Sequence, residues 1–260
     1  NNFNKNCCFI GKKIVFLSPY LLLLTLLSLQ SFVTQPEARS RSKKLVFIIA
    51  SGRSGSTSTL WMLNQIPGYD LKGETRGNVH KTIHETYTKL TQQHALLEKY
   101  KGDAFIHSSS LNHRLLKHGL GELVIAFGNF DKNARTIGFK ELTPKMGPNL
   151  TVADLYLEIF PNAKFILNFR TNATSQLSSK FWIGRNIEDY NKITYSLKSF
   201  KKRHKERVFV LLTEEMTATK FNELFEWLGE PCTCSDVLRL NDGGYTKQSN
   251  VPRMVHCRQP

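Results

Sequence analysis

LVFIIA at residues 45–50, running into SGRSGSTSTLWML at 51–63, decides the fold. The first stretch is a continuous apolar run of strand length, with Lys43 and Lys44 before it and Ser-Gly after it. A strand with one wet face alternates apolar and polar residues. An unbroken run points to a strand covered on both faces, as in a parallel sheet. The second stretch reads as a Gly/Ser loop that opens a helix. Gly52 and Gly55 let the backbone turn tightly and approach a ligand closely. Successive N–H groups then face one concavity, and the helix N-terminus adds partial positive charge. Ser56 and Thr57 can cap the helix or donate hydroxyls to an oxyanion, and Arg53 adds a planar cation. The plainest alternative is a Ser-rich turn that caps a helix. The triphosphate loop G-x-x-x-x-G-K-[ST] needs Lys after its second Gly. Ser56 stands there, so a Mg²⁺–triphosphate site is disfavoured.

Outward from this unit, residues 69–72 form a short strand candidate that ends at Gly73-Glu74-Thr75-Arg76. Val79, Ile83, Tyr87, Leu90 and Leu97 recur at helical spacing and predict a helix over 78–100. Residues 136–139 predict a strand ending at Lys140, and Leu155, Tyr156, Ile159 and Phe160 mark a helix. AKFILNF at 163–169 is a second strand of the buried type, ending at Arg170. Helices are expected over 171–182 and 189–200, and a strand over 207–212. Phe221, Leu224, Phe225 and Leu228 predict an amphipathic helix stopped by Gly229, with Pro231 beyond. Strands alternating with helices imply βαβ units and a parallel sheet.

The 260 residues suit one α/β domain with a tail. Lys and Arg number 36 against 21 Asp and Glu, a net charge of +15. Residues 1–44 hold seven Lys/Arg and one Glu, or +6, which leaves +9 for the rest. A basic surface favours anionic partners such as nucleotides or acidic glycans; the plain alternative is a basic soluble surface.

No charged residue occurs from 14 to 35, and leucines 21–24 sit inside this run. Roughly 20 apolar residues span a bilayer as a helix. Lys5, Lys12 and Lys13 precede the run, and Arg39, Arg41, Lys43 and Lys44 follow it, so basic flanks leave the orientation open. The expected division is a cytoplasmic tail at 1–13, a signal anchor at 14–33, a stem at 34–44 and one domain at 45–260. A cleaved signal peptide is the alternative, although no small-x-small site follows the run. Cys7 and Cys8 are palmitoylation candidates. An oxidising compartment could pair two of Cys232, Cys234 and Cys257; as zinc ligands they lack a fourth partner. Sequons stand at Asn149 and Asn172.

SGRSGST resembles the 5′-phosphosulfate loop of sulfotransferases that use PAPS (3′-phosphoadenosine-5′-phosphosulfate). FPNAKFILNFR at 160–170, followed by TNATSQLSSKFW at 171–182, resembles their 3′-phosphate element, with Arg at a strand end and Ser eight residues on. The first resemblance implies that Arg53, Ser54, Gly55, Ser56, Thr57 and Ser58 cradle the phosphosulfate. The second implies that Arg170 and Ser178 hold the 3′-phosphate, as a guanidinium and a hydroxyl converging on one anion can do. A glycan at Asn172 would obstruct that element, so Asn149 is the better glycosylation candidate.

GETR at 73–76 is similar to a G-E-x-R stretch of membrane-anchored members, including the tyrosylprotein branch. It implies Glu74 as the base and Arg76 as a residue that steers substrate. In GFKEL at 138–142, Lys140 matches the Lys of the cytosolic branch's K-T-H stretch, but Leu142 replaces its His. Lys140 is then expected to stabilise the transferred group, with Glu141 as a second candidate base. His80, His84, His107 and His113 are lone histidines with weaker claims. NDGGYTK at 241–247 resembles the loop that closes over the nucleotide, which makes Lys247 a phosphate contact.

The resemblance covers roughly 45–180, and 78–134 is left for acceptor recognition. It implies a P-loop-containing, sulfotransferase-like three-layer α/β fold with a central parallel sheet. The implied reaction moves a sulfuryl group from PAPS to an acceptor hydroxyl, carbohydrate first and protein tyrosine second, releasing PAP. No metal and no nucleic-acid partner are expected. The implied location is the Golgi membrane, with secretion after signal cleavage as the alternative. Two other readings are a kinase-like P-loop phosphotransferase and a basic polyanion-binding protein with a degenerate fold.

Overall fold

Every residue of strand β1 (Lys44–Ala50) after Lys44 is buried. Its neighbours explain why. The computed structural model describes residues 43–100, 111–179, 182–230, 233–234 and 255–256. Within them β1 lies at the centre of a five-stranded sheet with β2 (Tyr69–Lys72), β3 (Thr136–Leu142), β4 (Lys164–Phe169) and β5 (Val208–Leu212). The order is β2-β3-β1-β4-β5, and all pairs are parallel. Leu45, Phe47 and Ile49 face a layer of helices α2 (Asn78–Leu97), α3 (His113–Gly128), α4 (Thr151–Ile159) and α6 (Ile187–Arg203). Val46 and Ile48 face α1 (Ser56–Leu63) and α7 (Ala218–Leu228) on the other side. The strand is apolar without alternation because both of its faces are core. This is the three-layer arrangement the sequence implied.

Three elements differ from expectation. Strand β3 runs through Leu142, so Lys140 and Glu141 lie inside it rather than past its end. The helix expected at 171–182 is only α5 (Ala173–Leu177), followed by a turn. There the Ser178 hydroxyl donates to the Ser175 carbonyl, and Gln176 and Trp182 are drawn to another segment. Helix α3 was not foreseen, since Gly119 and Gly121 in its middle dilute its pattern. Asn112 starts it by accepting from the Leu115 N–H, and Asn129 ends it in a left-handed conformation.

No helix among the described residues is long and apolar enough to cross a membrane. The apolar run at 14–33 lies outside the described residues, as do Cys7, Cys8, His107, Cys232, Lys247 and Cys257. Cys234 lies in a small antiparallel pair, β6 (Thr233–Cys234) with β7 (Val255–His256).

Gly138 of β3 marks the tightest approach in the sheet. A Cβ there would lie 1.8 Å from the backbone oxygen of Val46. Gly138→Ala must push two central strands apart, and its melting temperature is expected to fall by on the order of 10 °C. Gly119 in α3 has nothing within 4 Å of such a Cβ. Gly119→Ala is expected to raise stability by about 0.5–1 kcal/mol in the same thermal melts.

Candidate active site

Parallel strands end on one edge, so the segments that follow them gather there. The connection from β1 packs α1 against one face of the sheet, while those from β2, β3 and β4 lie against the other. The winding therefore reverses at β1, and ligands of open α/β sheets bind beyond the strand ends at such a point. The Gly/Ser loop lies at this position.

The loop has three left-handed residues, Gly52 (φ 81), Arg53 (φ 55) and Gly55 (φ 79). It is tied from below. The buried Gln176 amide donates to the Ser51 and Gly52 carbonyls, at 3.2 and 2.9 Å, and to the Ser51 hydroxyl at 2.8 Å. Trp182 Nε1 reaches the Gly52 carbonyl at 3.5 Å. Ser54 Oγ and the Ser51 N–H both donate to the Asn168 carbonyl at 3.0 Å. Asn168 in turn donates to the Leu211 carbonyl on β5. The carbonyls are thus engaged, whereas α1 opens at Gly55 with no side chain capping its N–H groups. The Ser54 hydroxyl is committed to the Asn168 carbonyl and is not free for a ligand. Ser56 and Ser58 are buried beside it, and Arg53 and Thr57 are exposed. Met216 lies over Gly55, where a Cβ would come within 2.5 Å of its sulfur.

Past β4, Arg170 and Ser178 meet at one carbonyl. Arg170 Nη1 lies 3.5 Å from Ser175 O, and Ser178 Oγ donates to the same oxygen at 3.2 Å. Arg170 Nε is buried and has no hydrogen-bond partner. Asn172 caps α5 through the Ser175 N–H. Glu214 accepts from the Thr171 and Asn172 N–H groups. Burial raises the Glu214 pKa, but these N–H groups and the nearby Arg170 charge outweigh it and lower it.

Glu74 and Lys140 arrive from neighbouring strands. Lys140 is buried and its ammonium forms an ion pair with the partly exposed Glu74 carboxylate. Arg76 (φ 56) and Gly77 (φ 80) follow in left-handed conformations. Glu141 lies beneath this turn. Its Oε2 accepts from the Thr75 N–H at 3.0 Å, the Thr75 hydroxyl at 2.9 Å and the Gly77 N–H at 3.1 Å. Its Oε1 accepts from the Leu142 N–H at 3.0 Å. His80 Nε2 lies 3.4 Å from Oε2 without hydrogen-bond alignment, so that contact is electrostatic. His80 Nδ1 meets the Tyr156 hydroxyl at 2.6 Å. Burial pushes the Glu141 carboxyl up, yet the His80 imidazole and the Leu142 and Thr75 donors pull it down to about 2. A buried carboxylate with both oxygens engaged is a poor base, which leaves Glu74 as the more exposed of the two carboxylates beside Lys140.

Sequence reasoning thus finds Arg53, Glu74, Lys140, Arg170 and Ser178 on one edge of the sheet. It missed Asn168, Gln176, Trp182 and Glu214, which hold that edge in shape. Asn168 had one signal, a lone amide in an otherwise apolar buried strand. His84 is half-buried, and His113 is exposed beside His94, with ring centroids 6.3 Å apart. No cluster of metal-ligating side chains occurs among the described residues.

The profile of the sulfotransferase family matches residues 46–223. Among solved structures, the chain is similar to sulfotransferase STF9 from Mycobacterium avium. That match has 14% identity and a TM-score of 0.37, and covers 85% of this chain and 76% of that one. It is also similar to sulfotransferase STF1 from Mycobacterium tuberculosis H37Rv. There the identity is 12% and the TM-score 0.39, with 81% of this chain and 73% of that one covered. No curated protein matches the sequence.

The Glu141 contacts predict an acid-labile fold. Its folded carboxyl titrates at about 2, below the ordinary 4.5. The stabilisation is therefore complete above pH 4.5 and is lost as pH falls toward 2. It amounts to about 3 kcal/mol. Urea melts from pH 7 to 3 should show this loss, and Glu141→Gln, already destabilised at pH 7, should lose less.

Proposed function

The chain belongs to the sulfotransferase family, and from that premise we propose that it transfers a sulfuryl group from PAPS to an acceptor hydroxyl. One observation carries the reading. Lys140 on β3 and Glu74, just past the end of the adjacent β2, form an ion pair on the edge where the β1 loop presents uncapped N–H groups.

The donor suits the residues present. Its phosphosulfate end would lie on the N–H groups of 53–58, with Arg53 and the Ser56, Thr57 and Ser58 hydroxyls around it. Its 3′-phosphate would take Ser178 and Arg170, whose buried Nε lacks a partner. The acceptor oxygen attacks sulfur as the bond from sulfur to the bridging phosphate oxygen breaks. Glu74 takes the acceptor's proton, and PAP leaves with the electron pair. Lys140 turns from Glu74 toward the bridging oxygen, where negative charge develops. Arg53 and Lys140 supply the positive charge, and Arg76 steers the acceptor.

A carbohydrate hydroxyl is the favoured acceptor, with protein tyrosine second, and segment 78–134 is where the choice would be made. The location that goes with this reading is the lumenal side of the Golgi membrane, with 14–33 as the anchor and Asn149 as the glycosylated sequon.

Calorimetry on the full chain tests the donor site. PAP should bind with micromolar affinity, and Arg53→Ala and Arg170→Ala should each weaken it at least about tenfold. Glu74→Gln should lower kcat by about 10²–10⁴ while PAP affinity stays within about twofold. A folded wild-type chain that does not bind PAP overturns the proposal. Salt-labile heparin binding in that case would mark a polyanion-binding protein.

A further inference from the structure

We propose that Glu141 is a positioning residue for the base: it holds the turn carrying Glu74 so that this carboxylate meets Lys140 and the acceptor. The role rests on the reading of Glu74 as base given above.

Lys140 and Glu141 are consecutive on β3, so their side chains leave opposite faces of the sheet. Lys140 takes the side of the β1 loop and grips the Glu74 side chain. Glu141 takes the side of α2 and α4, against His80 and Tyr156. From there it grips the backbone just after Glu74. The two donors on Thr75 and the N–H of Gly77 all reach Oε2. Together they bracket Arg76, whose left-handed conformation is unfavourable for a side chain of its size. One strand thus fixes Glu74 twice, once by its charge and once by its backbone.

A purely structural role explains the arrangement less well. A carboxylate withdrawn from water is costly and must be offset by its hydrogen bonds, and here those bonds are concentrated on one turn. All but one of its hydrogen bonds go to this turn. The remaining one, from the Leu142 N–H, orients the carboxylate itself. His80 and Tyr156 back the carboxylate from the helix layer.

The test uses the full chain well below its melting temperature. Glu141→Gln keeps the shape but places an amide donor where N–H groups need an acceptor. The expected result is a fall in kcat of about 10–100-fold, with PAP affinity within about twofold of wild type. Thr75→Val should lose part of the rate and Thr75→Ser should restore it. Glu141→Gln added to Glu74→Gln should cost nothing further. Amide exchange at Thr75 and Gly77 should be slow in wild type and fast in Glu141→Gln. Wild-type turnover in Glu141→Gln overturns the proposal, as does a parallel loss of PAP affinity, which marks general misfolding. If the wild-type chain neither binds PAP nor transfers a sulfuryl group, the reading of the site fails instead. The exchange measurement alone then decides whether Glu141 holds the turn.

Discussion

Burial of β1 on both faces is the constraint from which the other features follow. Ile48, Ile49 and Ala50 are fully inaccessible, with β3 on one side and β4 on the other. A strand so placed cannot have hairpin neighbours, because helices must cover both faces and crossovers must return the chain to the same end. Parallel pairing then brings the ends of β1, β2, β3 and β4 to one edge. The polar segments meet there because the connections that leave these strands all begin on that edge.

The edge is shaped by residues that need not touch a ligand. Gln176, Asn168 and Trp182 engage loop carbonyls or the hydroxyl of Ser54, and this orients the remaining N–H groups. Buried polar groups of this kind hold one conformation because any departure leaves a donor or acceptor unpaired. Charges are handled similarly. Glu214 lies near Arg170 yet spends its hydrogen bonds on backbone N–H groups, and so leaves the guanidinium partly free. Glu141 does the same beneath Glu74. In both cases a carboxylate fixes the backbone beside a charged side chain of the edge.

The fold was legible because its signals are local. Unbroken apolar runs at 45–50 and 163–169 mark strands with two covered faces. The interval of eight from Arg170 to Ser178 survives in the structure, although the helix between them is shorter than its sequence suggests. Lys140 illustrates the limit. Its sequence places it at the end of a strand, whereas pairing with Ile48, Ile49 and Ala50 of β1 draws it into a longer one. Glu141 is plainer still: next to Lys140 it reads as a spare base, and only the turn at 75–77 shows that its oxygens are taken.

By itself, the sequence determined the strands of a parallel sheet, which follow from unbroken apolar runs and from glycines placed where a loop must turn. The three layers and the charged residues expected on the edge were what the family resemblance implied. Only the tertiary structure decided which carboxylate is available and which is consumed. It also decided which polar side chains hold the loop and how Lys140 meets Glu74. The bonds from the turn at 75–77 to Glu141, and from Gln176 and Trp182 to the loop, join residues 64 to 130 positions apart. No local pattern records them, because each is set by how strands and helices pack.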